Sequence, residues 1–373
     1  MKKIDTIEHL EDLWIRYENF SLSDFKKNVM YKLGVDEIKN LSEKLVEDVY
    51  KNYYRNTFFK FSLILRDLWF YSDYFKIFKK YEFDIETIIR MLKFLKKEKL
   101  VEIKKNKIKF LQAFPPIFTK PIREEEVIKF FKRKLGSISL EKSVLENFGE
   151  KHDWKEKYDQ LPIDFNLAVF IARKILDYYP FRDRFLFVGA DDFVYLIIGL
   201  IDPKMSLTVI DIDEDLISKT KKITDKFDLT INFDKADIRR DKIEKKFFGA
   251  FLNPPYTYQG VLKFLKFSSN QIDDKGGVCF LVLGDESIGN RVLFLQREMN
   301  KMNLIIREIS DRKIYYGFQD VYQEDIRWKK LSDEIGLKLK KRDPYISASL
   351  CVLEKLPCKP KKIKIEGEIY SYL

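Results

Sequence analysis

The stretch Phe185-Leu186-Phe187-Val188-Gly189-Ala190-Asp191-Asp192 decides how the chain reads: four apolar residues, a glycine and two acids, followed by an apolar run to Ile201. An uninterrupted apolar strand that stops at a glycine and gives way to a helix opens a βα unit, because a strand buried on both faces has no polar side to alternate. The pattern repeats downstream. Leu207-Thr208-Val209-Ile210-Asp211-Ile212-Asp213 is a second strand, residues 229–233, 248–253 and 278–283 are three more, and 304–309 and 346–353 are the last, with a helix over 290–302. Strands alternating with helices predict a parallel sheet covered on both faces. Ligands of such sheets bind at the carboxyl ends of the strands.

Upstream, the charge is uneven. Residues 51–120 hold 17 basic and 7 acidic residues, so +10 of the net +11 lies in about a fifth of the chain. Helical periodicity over 58–69 and 84–95 precedes Val101, Ile103, Ile108 and Phe110, which alternate with polar residues around a Lys-Asn-Lys turn as in a β-hairpin. Helices followed by a basic ribbon predict a winged helix. Lys93, Lys96, Lys97 and Lys99, with Lys104, Lys105, Lys107 and Lys109, form a phosphate-sized footprint. Nucleic-acid contact is weighed below a docking or dimerisation role, because lysine is the default surface residue here. A homodimer is compatible with the sequence and not required by it. Prolines at 115, 116 and 121 punctuate a linker. The expected organisation is an N-terminal winged-helix domain over 1–119, a helical connector over 120–180, a catalytic domain over 181–356 and a tail over 357–373.

The whole chain has 373 residues, 70 Lys+Arg against 59 Asp+Glu, 45% apolar and 15% aromatic residues, enough for well-filled cores. Three cysteines without CxxC and two histidines leave a Cys/His zinc site almost no ligands, so no metal is expected. The same scarcity removes Ser-His-Asp and Cys-His catalysis. No apolar leader or membrane span is expected, since the longest uncharged apolar run is 193–201. A reducing cytoplasm is the expected compartment. Abundant Lys, Glu and Ile suit a heat-adapted protein, and coding-DNA bias explains them equally well.

The strand ends carry the chemistry. Gly189 permits close backbone approach, and Asp191 or Asp192 is expected to cap the next helix. Asp211 and Asp213 stand where a carboxylate accepts ribose hydroxyls, and Asp237 where adenosine-binding folds place an acid near the adenine edge, though it reads equally as a loop-turn aspartate. After the fourth strand comes Asn253-Pro254-Pro255-Tyr256. Its prolines fix an extended backbone, its amide oxygen is suited to orient a nucleophilic nitrogen, and its ring attracts positive charge.

Asn253-Pro254-Pro255-Tyr256-Thr257 with Gly260, together with Gly189-Ala190-Asp191-Asp192, Val209-Ile210-Asp211-Ile212-Asp213, Tyr158-Asp159-Gln160 and Asp285-Glu286-Ser287, resembles the branched-chain polyamine synthases, the N4-bis(aminopropyl)spermidine synthases of thermophilic archaea and bacteria. The resemblance implies an α/β, Rossmann-like, class I methyltransferase-like parallel-sheet domain behind a winged helix. It implies aminopropyl transfer from decarboxylated S-adenosylmethionine to a polyamine such as spermidine, with no tightly bound cofactor. By that likeness Asp191 and Asp192 hold the donor's positive end, Asp211 and Asp213 its ribose and Asp237 its adenine. Asn253, Tyr256 and Glu286 serve the reacting amine, and Asp159, Pro254, Pro255, Thr257 and Asp285 line the substrate site. Two positions depart from the family. Ala190 and Asn253 stand where it usually has aspartate, and both changes remove negative charge, weakening attraction for polycations.

Asn-Pro-Pro-Tyr is also the form favoured by S-adenosylmethionine-dependent methyltransferases acting on a nucleic-acid base or protein amide nitrogen. That reading stays open, as does a regulator that binds a nucleoside or polyamine without turnover. The stretch Tyr315, Tyr316, Phe318, Tyr322 and Trp328, with Asp320, Glu324 and Asp325, reads either as lining for an amine pocket or as a surface flap whose aromatics pack on the core.

Overall fold

The computed structural model describes residues 4–27, 43–51, 57–72, 85–104, 107–122, 125–127, 129, 158, 160, 163, 165–317 and 344–358. Contacts divide the chain into two units, Met1–Phe118 with Leu356–Leu373, and Thr119–Lys355.

In the first unit lie helices α1 (Ile7–Lys27), α2 (Glu43–Val49), α3 (Phe58–Tyr71) and α4 (Ile85–Lys97), then strands β1 (Val101–Lys104) and β2 (Lys107–Phe110). Helix α3 starts at Thr57, whose side chain accepts the Lys60 N–H, and is buried almost all round. Even Arg66 and Asp67 are fully buried there, hydrogen-bonded to each other at 2.7 Å. Tyr17 of α1 packs its ring on Phe61 of α3 and Phe94 of α4. The hairpin pairs in the register Glu102 with Lys109 and Lys104 with Lys107. Trp69 stacks on Phe110 at 4.1 Å and pins the ribbon to α3.

The second unit contains α5 (Phe165–Tyr178), β3 (Phe185–Val188), α6 (Val194–Ile201), β4 (Leu207–Asp211), α7 (Glu214–Lys226), β5 (Ile231–Lys235), β6 (Gly249–Leu252), α8 (Tyr258–Gln271), β7 (Gly277–Leu283), α9 (Asp285–Ile288), α10 (Val292–Lys301), β8 (Leu304–Gly317) and β9 (Pro344–Lys355). The strands form one sheet in the order β5-β4-β3-β6-β7-β9-β8. The first five are parallel, while β9 pairs antiparallel with both β7 and β8. The expected parallel sheet is therefore a mixed one: β9 enters between β7 and β8 and runs against its neighbours, a placement set by pairing partners that strand composition does not encode.

Period-two alternation gives the sheet two different cores. Leu186, Val188, Leu252, Cys279 and Leu281 share one buried cluster with Val261 and Leu265 of α8 and Leu295 of α10. The opposite face is aromatic. Phe187 packs on Phe185, Phe251 and Tyr195, and Phe185 on Tyr179 and Phe280, with centroids 4.7–6.1 Å apart. Strand order reverses between β3 and β6, so the helices after these strands leave to opposite sides and open a crevice at their carboxyl ends.

Candidate active site

A cleft of about 460 Å³ occupies that crevice. Gly189, Asp191, Asp211, Asp237, Asn253 and Pro255 all face it, drawn together from the ends of β3, β4, β5 and β6. Gly189 takes φ +102°, a left-handed conformation that side chains rarely adopt, and this turns the chain sharply under the cleft. Asp211 is fixed by backbone donors: the Ala190 N–H reaches one carboxylate oxygen at 2.8 Å and the Asp213 N–H the other at 2.7 Å. Burial raises its pKa, and those two N–H groups pull the other way. Each oxygen keeps a lone pair for a hydroxyl. Asp237 receives Arg239 through both carboxylate oxygens, at 2.8 and 2.7 Å, and this pairing holds it down at about 2.

Behind the wall lies a hydrogen-bonded chain. Tyr256 Oη donates to Asn253 Oδ1 at 3.2 Å, and Asn253 Nδ2 donates to Asp192 Oδ2 at 2.7 Å. The amide orientation is thereby set, with its oxygen toward the ring and its nitrogen toward the acid. Asp192 is only 6% exposed, and its Oδ1 meets no donor at ordinary hydrogen-bond geometry. Burial pushes this carboxyl up to about 7, against the pull of the Asn253 amide and the Ile163 backbone N–H.

Several expected site residues take other positions. Neither Asp191 nor Asp192 caps α6: Phe193 is the cap residue, at φ 54°, with no side-chain hydrogen bond. Asp213 does not face the cleft. It is 2% exposed, caps α7 by accepting the Asp215 N–H, and receives Gln160 Nε2 at 3.0 Å. Thr257 caps α8, its hydroxyl accepting the Gly260 N–H at 3.0 Å. Pro254 is buried, and Tyr256 stands behind Asn253 with its ring close against Gly284. Asp285 and Glu286 occupy the first turn of α9 away from the cleft wall, with Glu286 exposed. Ala190 contributes its backbone N–H to Asp211, while its methyl is fully buried and does not line the cleft. Asp159, Phe318, Asp320, Tyr322, Glu324, Asp325, Trp328, Lys105 and the tail from 359 lie outside the described residues.

Among the described residues, no three His, Cys, Asp or Glu side chains are placed to hold a metal, and no helix is long and apolar enough to cross a membrane. Burial pushes the Cys279 thiol up to about 12, which leaves it without thiolate character at neutral pH.

Residues 142–371, more than half of the chain, match the branched-chain polyamine synthase A C-terminal domain. The chain belongs to the branched-chain polyamine synthase A family. Structures of the branched-chain polyamine synthase from Thermus thermophilus and of its C9 mutein, each in complex with N4-aminopropylspermidine and 5'-methylthioadenosine, align with it at TM-score 0.50. Identity is 14%, over 86% of this chain and 94% of theirs, a likeness of fold. An uncharacterized protein of Methanocaldococcus jannaschii is 29% identical over 141 residues, 37% of this chain. The chain spans about a third (36%) of that curated relative's length. An S-adenosylmethionine-dependent O-methyltransferase from Thermotoga maritima aligns at TM-score 0.36 and 14% identity, over 54% of this chain and 68% of its own.

Sequence reasoning gave no role to most of the cleft wall. Ile212, Ile238 and Phe264 supply apolar surface, and Gln160, Arg239 and Lys263 polar rim. Ile212 follows Asp211 directly. Lys263 and Phe264 were also legible, since they stand three and four residues after Gly260 and so share its face of α8.

Proposed function

We propose that the chain transfers an aminopropyl group from decarboxylated S-adenosylmethionine to an amine nitrogen of a polyamine such as spermidine. The observation that carries this reading is the meeting of Gly189, Asp211 and the Asn253-Pro-Pro turn in one crevice at the strand-order reversal, within a chain of this family. Asp211 would accept the ribose hydroxyls on the lone pairs its backbone donors leave free, with Ile212, Ile238 and Phe264 against the adenine. Asp191 would hold the donor's ammonium. The amine lone pair attacks the propyl carbon beside sulfur, the C–S bond breaks, and methylthioadenosine leaves with the electron pair. The new ammonium then releases one proton. The Thermus relative's complex with an aminopropylated polyamine and methylthioadenosine supports this choice of donor. The helix-then-hairpin order of the first unit supports reading it as a winged helix.

One observation favours a methyltransferase acting on a base or amide nitrogen: the cleft carries Arg239 and Lys263 beside its acids, and a neutral amide, Asn253, at the Pro-Pro turn. Mass analysis of products separates the two. Purified protein is incubated with decarboxylated donor and spermidine, and in parallel with S-adenosylmethionine and mixed DNA, RNA and protein. Aminopropylated spermidine is expected. Methylated macromolecule without it would reverse the assignment.

A further inference from the structure

Helix α4 buries Ile88, Met91, Phe94 and Leu95 and turns Ile89, Lys93, Lys96 and Lys97 outward, a stripe at helical spacing. The hairpin continues the separation. Val101, Ile103, Ile108 and Phe110 share one face, and Glu102, Lys104, Lys107 and Lys109, all exposed, share the other. Lys99 joins the two elements. The turn there has Leu100 N–H on Leu95 O and Lys99 N–H on Lys96 O, with Lys99 at φ 57°. This is the helix-ending geometry that favours glycine, and a side chain costs about 1 kcal/mol at such a position.

Some lysines elsewhere are matched with acids, as Lys26 is with Glu43 and Glu47, Lys235 with Glu214, and Lys266 and Lys301 with Glu298. Here they are not. Among the described residues, Lys93, Lys96, Lys99, Lys104, Lys107 and Lys109 form no ion pair, and Lys97 lies over the Phe20 ring. Glu98, the acid between them, is taken by Arg16, and only Glu102 offsets the face. Lysines in the last turn complement the helix dipole, which explains Lys96 and Lys97 but none on the ribbon.

We propose that the outer face of α4 and the β1–β2 hairpin binds nucleic acid, docking on the phosphate backbone of a duplex without reading its sequence. Unpaired lysines on one helix and the ribbon that follows it present point charges to phosphates. Neither outer face carries Arg, Asn or Gln among its described residues, the planar side chains that pair with base edges in a fixed two-pronged geometry. This binding is independent of the reaction in the cleft.

The test is fluorescence anisotropy of the full chain with labelled duplex DNA and duplex RNA of about 24 base pairs, in 50 to 200 mM salt. With about six phosphates neutralised, affinity falls roughly 10³-fold over that range, with a log–log slope of about −5. The variant Lys104→Glu/Lys107→Glu/Lys109→Glu weakens binding at least about tenfold and flattens the slope to about −3. Lys219→Glu/Lys221→Glu/Lys222→Glu, of equal charge change on exposed positions of α7, leaves affinity within about threefold. Unchanged melting and methylthioadenosine binding show that both variants are folded. No binding of either duplex at 50 mM salt, equal losses in the two variants, or binding to anionic vesicles and not to duplexes overturns the proposal.

Discussion

At the scale of single residues, Asn253 lines the cleft and Asp192 is buried behind it. Asp192 is an acid whose folded pKa, about 7, lies above the unfolded value near 4. The folded chain therefore binds this proton more tightly than the unfolded one, and the stability it contributes is complete below about pH 4 and lost as pH rises through 7. Asp192→Asn removes the titration and keeps an oxygen to accept the Asn253 amide. Melting curves of variant and wild type should coincide near pH 4 and separate by pH 8, with the variant more stable by on the order of a few kcal/mol. Parallel curves across that range refute the buried-acid account. Asn253→Asp sets two carboxyl groups where a 2.7 Å hydrogen bond now stands, so one must stay protonated at neutral pH. The acidic limb of the amine-transfer rate should move up by about one pH unit or more, and acceptor preference should shift toward more highly charged amines. No change in either measurement sinks the electrostatic reading of this position. Asn-Pro-Pro-Tyr was legible as a motif, but its partner was not, because Asp192 stands 61 positions earlier.

At the scale of elements, the turn from β6 into α8 is held by two devices that predict opposite outcomes. Thr257 caps α8. Thr257→Ala should cost about 1 kcal/mol of stability, with Thr257→Ser restoring it and the transfer rate little altered. A large rise in KM for the amine instead would return this residue to the substrate site. Gly284 bears on the proposed amine site through Tyr256. A Cβ there would stand 2.6–2.7 Å from the Tyr256 ring, so Gly284→Ala must displace the ring that orders Asn253. The expected result is a kcat loss of at least about tenfold with methylthioadenosine affinity retained, read from steady-state rates and a binding titration. Strand existence was readable from apolar runs such as 185–188. Edges were less so: β5 runs 231–235 rather than 229–233, because its half-exposed residues lack the continuous apolar signal. The antiparallel pairing of β9 with β7 depends on partners 66 and more residues away.

At the scale of the whole molecule, the proposed nucleoside site would couple ligand binding to folding through Asp211. A nucleoside that binds only the folded chain stabilises it by about 2.7 kcal/mol at a hundredfold excess over Kd. Methylthioadenosine should therefore raise the melting temperature of the wild type and fail to do so for Asp211→Ala. An equal shift in both would move the nucleoside away from this cleft. The sequence by itself determined which segments become strands and helices, that glycine and carboxylates end the strands, and that the excess positive charge lies near the N-terminus. Those features follow from local periodicity, turn chemistry and composition, which act within a few residues. Only the tertiary structure decided that Asp213 caps a helix while Asp211 faces the cleft, that Arg239 neutralises Asp237, and that Asp192 is buried against Asn253. Burial, hydrogen-bond partners and pKa are set by groups brought together from distant parts of the chain.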